Sequence, residues 1–332
     1  MKTAARTIAV IGDGGWGTAL AVTLAARPAF AVRLWGAFPE YTAVLQRTRA
    51  NPKFLPGVAI PPSVAVESDL ARTLAGAELV ILAVPSQHLR GVLRRAPAAA
   101  WSQATLVSAA KGIERERLCR MSEVIADACG AAAPVALSGP SLAAEVAQGH
   151  PTAVVAASSD RAAAALVQAT LASDTLRIYT SQDVIGVELG GALKNPMAIA
   201  AGIADGLGFG ANAKATLVTR AVVEMARLGK ALGAHPETFW GLSGLGDLVT
   251  TVLGGRNRWL GLELGRGRAL PDVLASTEMV IEGVETTRSA LALARRCGVE
   301  LPIIEQVHAI LFEGKTPREA LTDLMRRALH DE

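Results

Sequence analysis

The stretch TIAVIGDGGWGTALA, residues 7–21, decides the fold. Its glycines at positions 12, 14 and 17 follow an apolar run typical of a buried strand and precede a helical pattern. In this G-x-G-x-x-G arrangement Gly12 allows a tight turn, and Gly14 lets the backbone approach a pyrophosphate. Gly17 lets helix and strand pack closely, with the phosphate at the helix N-terminus. The stretch therefore predicts a dinucleotide site that opens the domain.

Similar apolar runs recur through the first half of the chain. They are AVRLWG (31–36), ELVILAVP (78–85), ATLVSAAKG (104–112), PVALSGP (134–140) and TAVVAAS (152–158). Continuous aliphatic runs are typical of parallel strands buried on both faces. Helix-length segments such as 17–27 and 116–128 separate them. This alternation predicts a doubly wound, Rossmann-like parallel sheet in an α/β fold.

From about residue 180 the pattern is helical nearly to the end. We therefore predict a dinucleotide-binding domain over 1–185 and an all-α, substrate-binding and catalytic domain over 186–332. Asp183 is the expected N-cap of the first long helix. Pro196 is expected to kink that helix, since it lacks an N–H. Further helices are predicted over 211–233, 258–266, 284–297, 302–313 and 317–329.

Composition narrows the class of protein. The 332 residues are 51% hydrophobic and carry a net charge of +3 without a basic run, so we expect no nucleic-acid partner. The longest uncharged stretch is interrupted by glycines and prolines, which argues against an integral membrane segment. Three cysteines lack metal-ligand spacing, so we expect no metal site. The sparse thiols and the lack of a signal-peptide pattern predict a cytoplasmic protein.

Lys194 is the most distinctive single residue. It is the only charged group between Leu189 and Ala204, in a helical pattern that is apolar on nearly every side. Burial lowers a lysine pKa toward working pH, which suits a general acid or base. The alternative is a lysine at the helix edge whose amine reaches solvent.

Other polar residues follow glycine-rich or strand-end turns. Lys111 follows a buried strand, where it is either a fixed cation beside a substrate oxygen or a structural ion-pair partner. Asp247 follows a glycine-rich, uncharged stretch and calls for a cation, for which Lys194 is the candidate. Arg256 and Asn257 follow two glycines and precede a helix, which suits either a phosphate site or an ordinary surface turn.

Three more features bear on ligand binding. Pro85 closes a strand in AVPSQ, and Gly139 and Ser141 offer donors in LSGPS, both at turns expected at the cofactor edge. An acidic residue that recognises ribose should follow the second strand, yet none occurs before Glu40. Arg33, within that strand, could reach a 2′-phosphate or could be solvated. The choice between NAD and NADP therefore stays open.

The motifs together resemble one family. They are GDGGWGTALA, VSAAKGIE, LSGPSLAAEVAQGHPTAV, ELGGALKNPMAIAAGIADGLGFGANAKATLVTRAVVEM, GLSGLGDLVTT, GGRN and IEGVETT, in that order. The chain is similar, from about residue 7 to about residue 315, to the NAD(P)-dependent sn-glycerol-3-phosphate dehydrogenases. The resemblance implies a homodimer that transfers hydride reversibly between dihydroxyacetone phosphate and sn-glycerol 3-phosphate. It also implies a role in supplying glycerol phosphate for phospholipid synthesis.

The resemblance also implies roles for individual residues. Lys194 becomes the proton donor and acceptor, with Lys111 and Asp247 as the other catalytic groups. The residues expected at the substrate are Lys111, Gly139, Ser141, Lys194, Asn195, Asp247, Thr251, Arg256 and Asn257. The residues expected at the cofactor are Gly12, Gly14, Gly15, Trp16, Gly17, Arg33, Pro85, Lys111, Ala143, Arg256, Ile281 and Glu282. Trp16 is expected to wall the phosphate region, with its bulk directed away from the glycine backbone.

The chain departs from the family pattern at several positions. Gly255 stands where bacterial members typically have a serine, and Thr251 is the expected compensating hydroxyl. Ala37 stands where many members have a basic residue, and Pro196 is unusual beside the catalytic lysine. Two alternatives remain: a β-hydroxyacid dehydrogenase of similar domain plan, and a dinucleotide-binding protein without catalysis.

Overall fold

The computed structural model describes residues 5–328 of the chain. Its strands are β1 (Arg6–Ile11), β2 (Phe30–Trp35), β3 (Ala50–Asn51), β4 (Leu55–Ala59), β5 (Val64–Glu67), β6 (Leu79–Leu82), β7 (Thr105–Ser108), β8 (Val135–Ser138), β9 (Thr152–Ala157) and β10 (Leu176–Ser181). Eight of these form one sheet in the order β10-β9-β8-β7-β6-β1-β2-β5, and β3 and β4 form a separate antiparallel pair. β2 and β5 lie on one side of β1, and β6 and the later strands lie on the other. Open α/β sheets bind ligands at such a point, where the strand order reverses.

The sheet confirms the predicted class and corrects its detail. All six predicted apolar runs contain strands of the sheet. β9, however, runs antiparallel to β8, so the sheet is mostly rather than wholly parallel. The sequence interpretation also missed β5 and β10. Both are edge strands whose residues alternate between buried and exposed, so neither has the continuous apolar run that marks a central strand.

The helices surround this sheet and form the second half of the chain. Those of the first half are α1 (Gly15–Ala25), α2 (Pro39–Thr48), α3 (Leu70–Leu74), α4 (Leu89–Leu93), α5 (Ala98–Trp101), α6 (Met121–Cys129), α7 (Ala143–Ala147) and α8 (Arg161–Leu171). Those of the second half are α9 (Val184–Gly206), α10 (Ala211–Ala231), α11 (Asp247–Leu253), α12 (Arg256–Gly265), α13 (Leu270–Ala275), α14 (Glu282–Cys297), α15 (Pro302–Phe312) and α16 (Pro317–Met325). Residue 329, the end of the last predicted helix, lies outside the described residues.

Helix α9 is the axis of the second half. Asp183 caps it as predicted, with its carboxylate accepting a hydrogen bond of 2.9 Å from the N–H of Gly186. The helix continues through Pro196 as a single element, so Pro196 does not end it. Glycines let α12 pack closely on α9, because a β-carbon on Gly261 would overlap the carbonyl of Ile199. This close packing buries most of α9, including the polar side chains of Glu188, Lys194 and Asn195.

The described residues form three large hydrophobic clusters. Two of them cover opposite faces of the sheet, since β1 gives Ile8 and Val10 to one and Ala9 and Ile11 to the other. The third is built almost entirely from residues of α9 to α15. Over residues 5–328 no helix combines the length and the apolar character needed to cross a bilayer.

Candidate active site

The glycine loop between β1 and α1 adopts the predicted form. Gly12 has a φ of +117°, and a β-carbon there would lie 2.6 Å from the carbonyl oxygen of Ala83, so only glycine fits. A β-carbon on Gly17 would overlap the carbonyl oxygen of Gly12. Gly14 caps α1 without a side-chain partner and has open space above it. The first N–H groups of α1 are thus left available for an anion.

Trp16 lies in the first turn of α1 and packs sideways. Its ring contacts a small cluster that includes Leu55 and Val58 of β4 and Ala143 of α7. A β-carbon on Gly15 would lie 3.8 Å from that of Ala143, so these two predicted cofactor residues are neighbours. Trp16 therefore joins the glycine loop to the β3–β4 pair and α7.

The turn after β6 meets the start of α14. Ser86, which follows Pro85, donates its N–H to Glu282 Oε1 at 2.9 Å and its hydroxyl to Glu282 Oε2 at 2.5 Å. Ile281 is buried at the N-cap of α14. The structure thus places the predicted residues Pro85, Ile281 and Glu282 beside one another. Burial raises the pKa of Glu282, against the donors of Ser86, which lower it.

The expectation for Arg33 needs correction. Its guanidinium donates to the main-chain carbonyls of Arg72, Thr73 and Ala75, at 2.9, 3.3 and 2.6 Å. These carbonyls end helix α3 and have no partner within the helix, which is why a cation binds there. Arg33 is therefore committed to α3 and does not extend to the sheet edge.

Two lysines converge on one aspartate where the sheet meets α9 and α11. Lys194 Nζ lies 2.5 Å from Asp247 Oδ1, and Lys111 Nζ lies 2.7 Å from Asp247 Oδ2. Lys111 also donates to the carbonyl of Gly139 at 2.9 Å. We call Lys111, Lys194, Asp247 and Thr251 the lysine–aspartate cluster. It confirms the predicted pairing of Lys194 with Asp247 and adds Lys111 to the same carboxylate.

Glycines make this convergence possible. A β-carbon on Gly190 would lie 2.5 Å from the carbonyl oxygen of Ser243, within the π-helical turn Leu242–Gly246 that precedes α11. A β-carbon on Gly191 would overlap the hydroxyl of Ser138 at the end of β8. Both glycines therefore let α9 approach the sheet and the turn, which brings Asp247 to Lys194.

Lys194 is buried, with 7% of its surface exposed, and Thr251 accepts a hydrogen bond of 2.8 Å from its amine. Burial lowers the pKa of Lys194 from 10.5 to about 8, with the charge of Lys111 acting in the same direction and that of Asp247 opposing it. This is the range required of a group that gives and takes a proton near neutral pH. Thr251 thus contacts Lys194, and its compensation for the missing serine at position 255 stays a prediction.

The neighbouring amides form a chain of hydrogen bonds. Asn257 donates to Asn195 Oδ1 at 2.9 Å, and Asn195 donates to the carbonyl of Lys111 at 3.2 Å. Asn257 Oδ1 in turn accepts from the N–H of Gly283 at 2.9 Å. Both predicted asparagines therefore position other parts of the site as well as lining it.

The remaining predicted residues surround the cluster. Ser141 donates to the carbonyl of Gly139 at 2.9 Å, the same oxygen that Lys111 contacts. Arg256 is exposed at the first position of α12 and donates to the carbonyl of Val280 at 2.9 Å. Its other guanidinium N–H groups are available for an anion at this helix N-terminus.

Sequence reasoning missed Asn51 and Ser86. Asn51 is fully buried and donates to the carbonyl of Asp13 and to the hydroxyl of Thr18, both at 2.8 Å, which fixes the glycine loop. Nothing in its surroundings, RANPKF, distinguishes it from a turn residue. Ser86 lies in the quoted AVPSQ motif, but its partner Glu282 is far away in the chain and only the fold brings them together.

Comparison with known proteins identifies the family. Models described as the N-terminus and the C-terminus of NAD-dependent glycerol-3-phosphate dehydrogenase match residues 7–164 and 183–322. The chain belongs to this family. Relatives named glycerol-3-phosphate dehydrogenase NAD(P)+ from Koribacter versatilis and Syntrophotalea carbinolica are each 49% identical; the alignments cover 96% and 98% of this chain and 97% and 99% of theirs.

A solved glycerol-3-phosphate dehydrogenase from Coxiella burnetii superposes with a TM-score of 0.93 at 37% identity. The match covers 97% of this chain and 99% of that one. As a glycerol-3-phosphate dehydrogenase, the chain is an oxidoreductase that uses NAD or NADP. The glycine loop fits such a cofactor, because Gly12 and Gly17 let the loop pack closely on its own backbone and on Ala83, and Gly14 leaves open space at the N-terminus of α1.

Proposed function

We propose that the chain catalyses reversible hydride transfer between dihydroxyacetone phosphate and sn-glycerol 3-phosphate. One observation carries this proposal: two lysines share one buried aspartate beside a dinucleotide-binding edge. A ketone that becomes an alcohol needs a proton and needs its developing negative charge stabilised. The lysine–aspartate cluster offers both.

Lys194 is the acid and base. As an ammonium it protonates the developing alkoxide during ketone reduction, and as an amine it accepts the same proton during alcohol oxidation. Its pKa of about 8 makes both forms accessible. The nicotinamide, when bound, supplies or takes up the hydride.

Lys111 and Asp247 support this proton transfer. Lys111 holds a fixed positive charge beside the reacting oxygen, which is the form of electrostatic stabilisation that requires no reorganisation during the reaction. Asp247 holds both amines in place, and its negative charge offsets the repulsion between their positive charges. Thr251 fixes Lys194 from a second side.

The phosphate of the substrate binds at the start of α12. Arg256 offers a planar fork of donors, and the first N–H groups of the helix carry the positive end of its dipole. Asn257 offers its remaining amide N–H, while Gly139, Ser141 and Asn195 line the rest of the site. Binding the phosphate fixes the three-carbon unit against Lys194 and Lys111.

We further propose that this reaction supplies glycerol phosphate for phospholipid synthesis, in the cytoplasm and as a homodimer. The three free cysteines support a reducing compartment. We also place the domain boundary at residue 185, which the separation of the α9–α15 hydrophobic cluster from the two sheet clusters supports. Light scattering should give twice the chain mass of 34.3 kDa for a homodimer.

The deciding experiment follows the nicotinamide absorbance of NADH and of NADPH with dihydroxyacetone phosphate. Oxidation of either cofactor, at a rate that depends on the ketone, supports the proposal. A preference for a three-carbon 3-oxo acid would favour a β-hydroxyacid dehydrogenase instead. Cofactor binding without turnover of any ketone would favour a dinucleotide-binding protein without catalysis.

A further inference from the structure

The end of β2 lacks the group that recognises the adenosine ribose in many dinucleotide folds. A carboxylate there accepts hydrogen bonds from the ribose hydroxyls, and a nearby arginine accommodates a 2′-phosphate instead. In this chain β2 is followed by Gly36 and Ala37, and the first acid, Glu40, is exposed on α2. Arg33 is bound to the end of α3. Neither usual determinant stands at this position.

A carboxylate from a different segment takes the place. Asp13 lies in the glycine loop after β1, which pairs in parallel with β2, so the residues that follow both strands meet at one edge. A β-carbon on Gly36 would overlap both Asp13 Oδ2 and Thr42 Oγ1. The carboxylate thus lies directly against Gly36, where a side chain at the end of β2 would begin.

The backbone of Asp13 is held in place, and one oxygen of its carboxylate has no partner among the described residues. Only 7% of the surface of Asp13 is exposed, and its Oδ2 has no hydrogen-bond partner among residues 5–328. Its main-chain carbonyl is held by Asn51 at 2.8 Å and by Thr18 at 3.3 Å. Asn51 is itself oriented by the hydroxyl of Tyr41, 2.6 Å from its Oδ1. The backbone of Asp13 is therefore held in place, although Oδ2 of its carboxylate has no partner among the described residues.

An unpaired buried carboxylate is unfavourable for stability, and burial raises the pKa of Asp13 to about 6. Such a group remains mostly ionised at pH 7 and above, so it offers an acceptor of high charge. A ribose hydroxyl would satisfy it with a charge-assisted hydrogen bond. A 2′-phosphate at the same place would instead bring a second negative charge against it.

We propose that Asp13 is the residue that selects the cofactor, by accepting a hydrogen bond from an adenosine-ribose hydroxyl of NAD and disfavouring the 2′-phosphate of NADP. The inference rests on the proposed reaction, which uses a dinucleotide. It adds to that proposal a preference for NAD over NADP. It also explains why an aspartate stands at position 13, where a neutral residue would be more favourable for folding.

The test measures binding of two nucleotides that cannot take part in hydride transfer, ADP-ribose and 2′-phospho-ADP-ribose, by calorimetry. Native protein should bind ADP-ribose at least about tenfold more tightly than 2′-phospho-ADP-ribose. This ratio corresponds to the free energy of one hydrogen bond to a charged group. Asp13→Asn should reduce that ratio by about tenfold while the melting temperature stays equal or rises. Asp13→Ser provides a second variant with a smaller neutral side chain.

The matched control is Glu67→Gln, which removes the carboxylate at the end of β5, paired in register with Trp35 of β2. It should leave the ratio unchanged. The proposal fails if native protein binds 2′-phospho-ADP-ribose as tightly as ADP-ribose. It also fails if both Asp13 variants keep the native ratio, or if Glu67→Gln changes it as much as they do. Because no ketone is present, these outcomes are separate from a failure of the dehydrogenase reaction.

Discussion

Two buried charge clusters contact the same helix, α9, and they differ in how completely their charges are satisfied. In the first, which we call the Glu188 cluster (Arg120, Ser122 and Glu188), one carboxylate accepts bonds of 2.7, 2.6 and 2.6 Å from Arg120 and from the N–H and hydroxyl of Ser122. In the lysine–aspartate cluster, two ammonium groups share one carboxylate. In the first cluster one cation matches the carboxylate, and in the second two cations share it.

The difference separates a structural from a functional cluster. Each lysine amine has three N–H donors, and among residues 5–328 each has two acceptors. One donor on each amine and one net positive charge are therefore left for a ligand. The Glu188 cluster has no such excess of charge, because Arg120 matches the carboxylate of Glu188, and it joins α9 to the start of α6. Excess charge, rather than burial alone, distinguishes the group that we propose to be catalytic.

The largest expected effect is on Lys194. Lys194→Ala removes the proton donor, so kcat should fall by about a thousandfold, within the usual range for general acid–base catalysis. Cofactor binding, followed by nicotinamide fluorescence, should change little because the amine lies away from the glycine loop. Lys230→Ala, at an exposed position on α10, is the matched control and should keep native kcat. Near-native turnover by Lys194→Ala would remove the distinction between the clusters.

The sequence predicts the unsatisfied cluster better than the satisfied one. Lys194 is conspicuous because it is the only charge in a long apolar pattern, and Asp247 because glycines surround it. Glu188 begins the same apolar stretch, yet its partners Arg120 and Ser122 belong to another helix and give no signal along the chain. Pairings between distant segments depend on the fold, which periodicity does not specify.

The same limit applies to the sheet and the cofactor edge. Buried central strands are visible as aliphatic runs, whereas β5 and β10 are half-exposed and were missed. Arg33 was expected at the cofactor because of its strand, but the carbonyls at the end of α3 bind it. In each case a tertiary partner outweighed a local pattern.

The next largest effect separates the clusters by stability. Glu188→Ala leaves the N–H and hydroxyl of Ser122 without their acceptor and removes one of the two carboxylates that pair with Arg120, which should lower the free energy of unfolding by about 2 kcal/mol. Its kcat, measured well below the melting temperature, should stay within about twofold of native, since the carboxylate does not reach the substrate. Urea denaturation measures the first quantity. A large loss of kcat without loss of stability would contradict a structural role.

Arg256→Ala tests where the excess charge is used. The variant loses charge-assisted bonds to the substrate phosphate, so the KM for dihydroxyacetone phosphate should rise by about tenfold or more while kcat changes less. Arg268→Ala is a suitable control, because Arg268 is an exposed arginine paired with Glu263 on the far end of α12. An unchanged KM would argue against a phosphate site at the start of this helix.

The smallest effect is a shift in pH dependence, and it distinguishes the two clusters without loss of either. Ketone reduction needs the ammonium of Lys194, whose pKa is lowered from 10.5 to about 8, so its rate should be level below pH 8 and fall above it. The rate of alcohol oxidation needs the amine and should rise through the same pH.

Asp247→Asn removes the charge that raises the pKa of Lys194, so both pH profiles should move to lower pH. Glu188→Gln should leave them in place, because Glu188 is satisfied by Arg120 and Ser122 and does not contact the lysine. The measurement is the pH profile of kcat in each direction. Equal shifts in both variants would mean that all the charges near α9, rather than the shared aspartate, set the pKa of Lys194.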